Sequence, residues 1–168
     1  MNLENNSFEW QVTSGSALMK FCWRWLGSVG SHDGYASFPP GPENPGVYMV
    51  KLTACGTHRI YIGEAANLGK RLRGYGGRGA EHPNRPGMTT TNMKARVRRV
   101  LRERDGEIEV YLLELPACSG LSWCEHYPAC KDCRVMLERL ALATAYLRRE
   151  PLINEHGFPK VLEDNPLL

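Results

Sequence analysis

Two tyrosines, one arginine and one glutamate are spaced along this chain in a way that could serve phosphodiester hydrolysis. Tyr48 ends the cluster Gly46-Val47-Tyr48, and Tyr61 opens the cluster Tyr61-Ile62-Gly63. Both lie in β-branched and aromatic runs, 46–52 and 58–63, separated by the turn-prone Ala54-Cys55-Gly56-Thr57, so the two phenols are expected side by side on a hairpin. The chain then enters a short basic helix, Asn67 to Tyr75, which carries Arg71. A guanidinium can grip a phosphate with planar donors and keeps its charge at any working pH. Glu138 falls mid-helix, between Leu137 and Leu140, and is a candidate ligand for one divalent ion, Mg²⁺ above all. Hydrolysis also needs a proton acceptor. Tyr48 is the favoured one, with Tyr61 as its partner, although a phenol of pKa about 10 is a weak base at neutral pH and the residues alone leave the assignment open.

Taken singly, each of these side chains has a plainer reading. A strand tyrosine usually packs against a neighbour, and a helix glutamate usually faces water. The ordered series is what carries the signal. The segment GVY…YIGEAANLGKRLRGY resembles the signature of the GIY-YIG nucleases, and Glu138 in LERLALATAYL and Asn154 in LINEHG resemble that family's catalytic Glu and structural Asn. The resemblance spans roughly residues 45–156. It implies a three-stranded antiparallel sheet flanked by helices, cleavage of DNA with one divalent ion, and a bracing role for Asn154 through backbone hydrogen bonds. It also puts Tyr75, one turn beyond Arg71, where several members have His. Glu64 follows Tyr61-Ile62-Gly63 where excision-repair members carry Lys, which points away from that branch.

Basic residues are concentrated beside these motifs. The 168-residue chain has a net charge of only +3. Yet Lys70, Arg71, Arg73, Arg78, Arg85, Lys94, Arg96, Arg98, Arg99, Arg102 and Arg104 all fall between residues 67 and 104, against Glu81 and Glu103 alone. Such a patch can be no more than a solvated helix face, but next to phosphate chemistry it reads as a contact for a nucleic-acid backbone. Lys70, Arg73, Arg78, Lys94, Arg96, Arg99 and Arg102 are the candidate DNA-binding residues.

Cysteines form a second cluster. Cys118, Cys124, Cys130 and Cys133, with His126 nearby, lie between a strand and the Glu138 helix. Cys130-Lys131-Asp132-Cys133 has metal-clip spacing, while the two upstream gaps of five residues do not. Four thiolates could close a structural zinc site; four reduced thiols are the alternative. Cys22 and Cys55 are expected as small core residues.

These groups must be positioned by a modest set of elements. A size of 168 residues with 42% hydrophobic content suits one compact core. Residues 1–45 are read as an extension packing on that core. Within it Leu18, Phe21, Cys22 and Trp25 have helical spacing, with Ser14 or Ser16 as cap, and Trp10, Trp23 and Trp25 are expected to pack inward. Residues 39–46 (PPGPENPG) link into the first strand. GYGGRG (74–79) lacks the Gly-Lys-Ser/Thr of a nucleotide-binding loop and is read as a loop near DNA. Thr90, Thr91 or Asn92 is expected to cap a helix running to about Arg104, with Val97, Val100 and Leu101 buried. EIEVYLLEL (107–115) is read as a third strand. The last helix, 134–149, is expected to bury Leu137, Leu140, Ala141, Thr144 and Leu147.

The fold class expected is therefore α+β: a small antiparallel sheet with flanking helices, residues 46–168 forming the nuclease domain with a cysteine-rich insert at 117–133. The function expected is a Mg²⁺-dependent DNA endonuclease acting on double-stranded DNA, with a small type II restriction enzyme preferred and a homodimer needed if it cuts both strands. A structure-specific repair or recombination nuclease, or a non-catalytic DNA-binding module, are the alternatives. No signal-peptide or membrane-spanning pattern is visible, so the expected location is the cytoplasm.

Overall fold

A computed structural model describes residues 7–14, 17–32, 35–76, 88–114 and 128–154. The chain is α+β. Its principal sheet is antiparallel and has five strands in the order β1-β2-β7-β5-β6: β1 (Ser7–Ser14), β2 (Ala17–Ser28), β5 (Gly46–Ala54), β6 (Thr57–Ala65) and β7 (Glu107–Leu113). A separate small hairpin joins β3 (Gly30–His32) to β4 (Tyr35–Ser37). Three helices complete the described fold: α1 (Leu68–Tyr75), α2 (Met88–Val100) and α3 (Lys131–Leu147).

The sheet is wider than the three strands expected, because the N-terminal segment is not helical. Residues 7–28 form a hairpin whose second strand continues the sheet, with Trp23 opposite Leu113 and Trp25 opposite Tyr111. Period-two burial overrode the helical spacing of Leu18, Phe21, Cys22 and Trp25. Phe21 and Trp23 are fully enclosed, while Cys22 is half-buried and Arg24 exposed, the alternation a strand imposes. Trp25 departs from it and from the inward packing expected, being 41% exposed beside the bulge. Ser14 therefore caps nothing helical and ends β1, and Ser16 lies outside the described residues. A bulge between Trp25 and Gly27 shifts the pairing. Gly27 has φ +152°, and a Cβ there would sit 2.9 Å from Pro39, so the bulge requires glycine.

The sheet is covered on both sides, which explains why β5 reads as an almost unbroken apolar run. On one face, Val47, Met49, Ile60, Ile62, Phe21 and Trp23 pack against Cys133, Leu137, Ala141 and Ala145 of α3. On the other, Tyr48, Val50, Leu52, Val110 and Leu112 pack against Leu68, Leu72 and Tyr75 of α1 and Met93, Val97 and Val100 of α2. Leu147 departs from the expected stripe: it is 75% exposed at the end of α3.

Two local devices place the site elements. The β5–β6 hairpin turns at Cys55-Gly56, with φ of +52° and +71°, as a two-residue turn of matching twist demands. Cys55 is thus an exposed turn residue, not the core residue expected, and Cys22 is only half-buried. The first N–H groups of helix α1 all find acceptors. The Asn67 side chain accepts from Lys70 N at 2.7 Å, Leu68 N donates to Asn44 O at 3.1 Å, and Gly69 N donates to Pro42 O at 2.8 Å. The Pro/Gly-rich stretch before β5 thus seats the helix that carries Arg71. Helix α2 starts at Met88, so Thr90, Thr91 and Asn92 lie inside it, and it ends at Val100 with turns through Asp105.

Candidate active site

Strands β5 and β6 bring the first two tyrosines together by register. Tyr48 is paired with Gly63, and Val50 with Tyr61, so both phenols rise from the α1 side of the sheet. Their ring centroids are 6.1 Å apart. Tyr75, from the last turn of α1, completes a three-ring cluster with centroids 6.2 Å from Tyr48 and 6.4 Å from Tyr61. Its hydroxyl is 2.5 Å from that of Tyr48. The glycine of the second cluster has a steric cause. A Cβ on Gly63 would lie 2.8 Å from the Tyr48 hydroxyl and 3.0 Å from Cε1 of Tyr61, so the ring of Tyr48 is seated over bare backbone.

The three phenols differ in access. Tyr48 and Tyr75 are buried and Tyr61 is half-buried. Burial first, then the neighbouring Tyr75 and Tyr61, pushes the Tyr48 phenol well above its ordinary value, with Arg71 opposing. Tyr61 is pushed up as well, first by burial and then by Tyr75. An enclosed phenol already bonded to another is a poor starting point for a proton acceptor; the more accessible Tyr61 is the ring that water can reach.

Arg71 projects from α1 beside this cluster. Burial works against its charge, but the phenols of Tyr48, Tyr75 and Tyr61 and the Glu64 carboxylate outweigh that, and its pKa is raised. Glu138 comes from the opposite layer. Its carboxylate is half-buried and interacts with Tyr61, Glu64 and Arg71. Desolvation first, then the Glu64 charge, raises its pKa, while a hydrogen bond from the Glu64 backbone, Arg139 and Arg71 pull the other way.

The open edge of β6 explains how α3 and the C-terminal segment reach this site. Edge strands present unpaired backbone groups that a fold must cover. Ile60 N donates to Pro151 O at 2.9 Å and Ile60 O accepts from Ile153 N at 3.0 Å. Ile62 N donates to Asn154 Oδ1 at 3.0 Å, and Asn154 Nδ2 donates to Ile62 O at 2.5 Å. Glu138 lies beside Glu64, two residues further along this strand, and its carboxylate feels the Glu64 charge and backbone.

Two residues of the site were not among those expected. Glu64 points to the α3 side, where Arg134 Nε donates to its Oε2 at 3.0 Å. The signal for Arg134 was present: it lies three residues before Leu137 and four before Glu138, on the buried stripe of the helix, and it is only 4% exposed. Arg59 is the second. Opposite Leu52 in the hairpin register, it lines a small cleft with Arg96, Arg99, Leu52, Val100 and Ile153.

Of the basic residues expected at DNA, Lys70, Arg73, Arg99 and Arg102 are exposed, and Lys94 and Arg96 are half-buried. Arg73 Nη2 lies 3.8 Å from Glu43 Oε1. Arg78 and Arg85 fall outside the described residues, as do the loop 77–87, Cys118, Cys124 and His126. Cys130 is the N-cap residue of α3 and Cys133 is buried one turn on. Hydrogen bonds from the backbone and thiol of Cys133 lower the Cys130 pKa.

Among the described residues no three His, Cys, Asp or Glu side chains converge on one point. An ion at Glu138 would accordingly take one or two protein carboxylates and fill its shell with water and phosphate oxygens, the mode Mg²⁺ favours. The negative charge and oxygen donors of Glu138 fit a hard divalent cation, while the Glu64 carboxylate is taken up by Arg134. No helix among the described residues is long and apolar enough to cross a membrane. Compared with models of protein families, with curated proteins and with solved structures, the chain matches none.

Proposed function

We propose that this protein is a metal-dependent DNA endonuclease of GIY-YIG type, with a small type II restriction enzyme as the preferred subtype. One observation carries the reading: Tyr48, Tyr61 and Tyr75, Arg71 from α1 and Glu138 from α3 gather at one end of the β5–β6 hairpin. A packing cluster of aromatics has no need of a guanidinium and a carboxylate from two different helices beside it.

In this site Arg71 holds the scissile phosphate and offsets charge that builds on its oxygens. Glu138 would hold Mg²⁺, which would supply further charge neutralisation at the phosphate and leaving oxygen. Tyr61 orients the attacking water and takes its proton, a step that becomes favourable only where added positive charge lowers the phenol pKa. Tyr48 and Tyr75, bonded to each other, fix the Tyr61 ring. Asn154 fixes the strand beneath it. The arginines of α2 and Arg59 hold the phosphate backbone of double-stranded DNA outside the catalytic centre. Cutting both strands calls for a second copy of the chain. Cys130 and Cys133, one turn apart at the start of α3, would supply two of the four thiolates of a structural zinc site completed by Cys118 and Cys124, with four reduced thiols as the alternative.

The test is incubation of purified protein with plasmid DNA and Mg²⁺, with the cut ends mapped. Discrete fragments with a shared sequence at their ends support the restriction reading. Cuts confined to branches or flaps move it to a structure-specific nuclease. Binding without cutting in any divalent metal overturns the enzyme in favour of a binding module.

A further inference from the structure

The ion pair between Arg134 and Glu64 lies outside the set of reacting groups, yet it joins the two elements that must meet for that set to form. Arg134 is buried, and every hydrogen bond it makes serves one purpose. Its Nε donates to Glu64 Oε2 at 3.0 Å, and its Nη1 donates to the carbonyls of Pro128 and Ala129, both at 2.8 Å. Those carbonyls belong to the residues that lead into α3. One guanidinium therefore ties the start of the helix to the residue directly after Tyr61-Ile62-Gly63. Glu138 lies four residues on, one turn along the same face, beside that same Glu64.

We infer that Arg134 is a positioning residue: by clamping the start of α3 to Glu64, it holds the Glu138 carboxylate in register with Arg71 and Tyr61. The inference rests on the nuclease reading for the role of Glu138, not for the clamp itself. A buried ion pair is weak ground for a stability role, because an apolar pair of similar volume often serves as well. Geometry is what such a pair supplies and an apolar pair does not. The planar fork of Arg134 fixes three acceptors at once, and a helix held to β6 by apolar packing alone could slide or rotate on it. Alternation along β6 fits this division: Ile60, Ile62 and Glu64 face α3, while Tyr61 and Gly63 face the phenol cluster. Glu64 is thus placed to hold the helix through its side chain.

The experiment compares Glu64→Gln, Glu64→Ala and the double variant Arg134→Met with Glu64→Met, all in the full chain. Glutamine still accepts from Arg134 Nε, so Glu64→Gln should recover most of the cleavage rate that Glu64→Ala loses. The double methionine variant leaves no unpaired buried charge and should fold and bind DNA as the parent does. Its kcat should nevertheless fall on the order of a hundredfold with little change in KM, the scale of a catalytic group displaced by about 1 Å. Amide hydrogen exchange gives a readout apart from activity. In the double variant and Glu64→Ala, protection should drop in the first turns of α3 while Ile62, held by Asn154, keeps its own. If Glu64→Gln is as inactive as Glu64→Ala, Glu64 acts by charge and the clamp is wrong. Wild-type turnover by the double variant overturns it equally. Should the parent cleave no DNA, the nuclease reading fails, and the clamp is then judged on exchange: unchanged protection in the first turns of α3 disproves it.

Discussion

Asn154 closes both backbone groups of Ile62, accepting from its N–H at 3.0 Å and donating to its carbonyl at 2.5 Å. A side-chain amide is the only neutral group that can mimic a strand partner in this way, one acceptor and one donor in a plane. It therefore stands in for a sixth strand at the one point where β6 runs beside the candidate site. Glu138 interacts with Glu64, two residues further along the same strand.

Replacing Asn154 with alanine strands both Ile62 groups on a covered edge. Stability should fall by about 1–3 kcal/mol, the cost of unsatisfied buried backbone groups. Thermal unfolding measures it, and cleavage should fall with it because Tyr61 adjoins Ile62. Asn154→Asp keeps the acceptor and loses the donor, and should lie between the parent and the alanine variant.

Arg71→Ala and Glu138→Ala should each reduce cleavage by two or more decades, roughly the loss seen when one charge-stabilising group is removed from a transition state. Circular dichroism should show an unchanged fold. Glu138→Gln should bind DNA with little loss and fail to turn over. Parent-like cutting by either alanine variant removes these residues from the chemistry.

Gly63→Ala should impair activity more than its size suggests. The new methyl group would lie 2.8 Å from the Tyr48 hydroxyl, which is enclosed and bonded to Tyr75, so the ring cannot swing aside without breaking that bond. A destabilisation of about 1–3 kcal/mol is expected from overpacking. Equal melting temperatures for variant and parent would show that the tyrosine cluster is loose.

Neutralising Arg96, Arg99 and Arg102 together should weaken DNA binding and flatten its dependence on salt, by roughly 0.9 in log–log slope for each phosphate that is no longer neutralised. Adding Arg59→Gln should flatten it again, since Arg59 lines the same cleft. A slope unchanged by all four would place that cleft away from DNA.

Replacing Cys130 and Cys133 by serine should lower stability and activity together if the thiols hold zinc, whereas Cys22→Ser should do neither. Metal analysis of purified protein decides it. Zinc below about a tenth of an equivalent, with folding indifferent to chelator, would make the cysteines ordinary thiols.

What the sequence determined by itself was the local architecture of the site. The aromatic-glycine hairpin, the capped α1 with Arg71 and the amphipathic α3 with Glu138 all follow from propensity, turn chemistry and periodicity over short windows. The N-terminal segment shows the limit. Leu18, Phe21, Cys22 and Trp25 satisfy a helical period, yet Phe21 and Trp23 satisfy a strand period too, and only the free edge of β7 favours the second. Tertiary structure alone decided that choice, the width of the sheet and the way the site is braced. Asn154 and Ile62 are 92 residues apart and Arg134 and Glu64 are 70 apart. Bonds of that span depend on which backbone groups the sheet leaves unpaired at its edge. No stretch of local sequence encodes that, because the vacancy exists only once the strands have assembled.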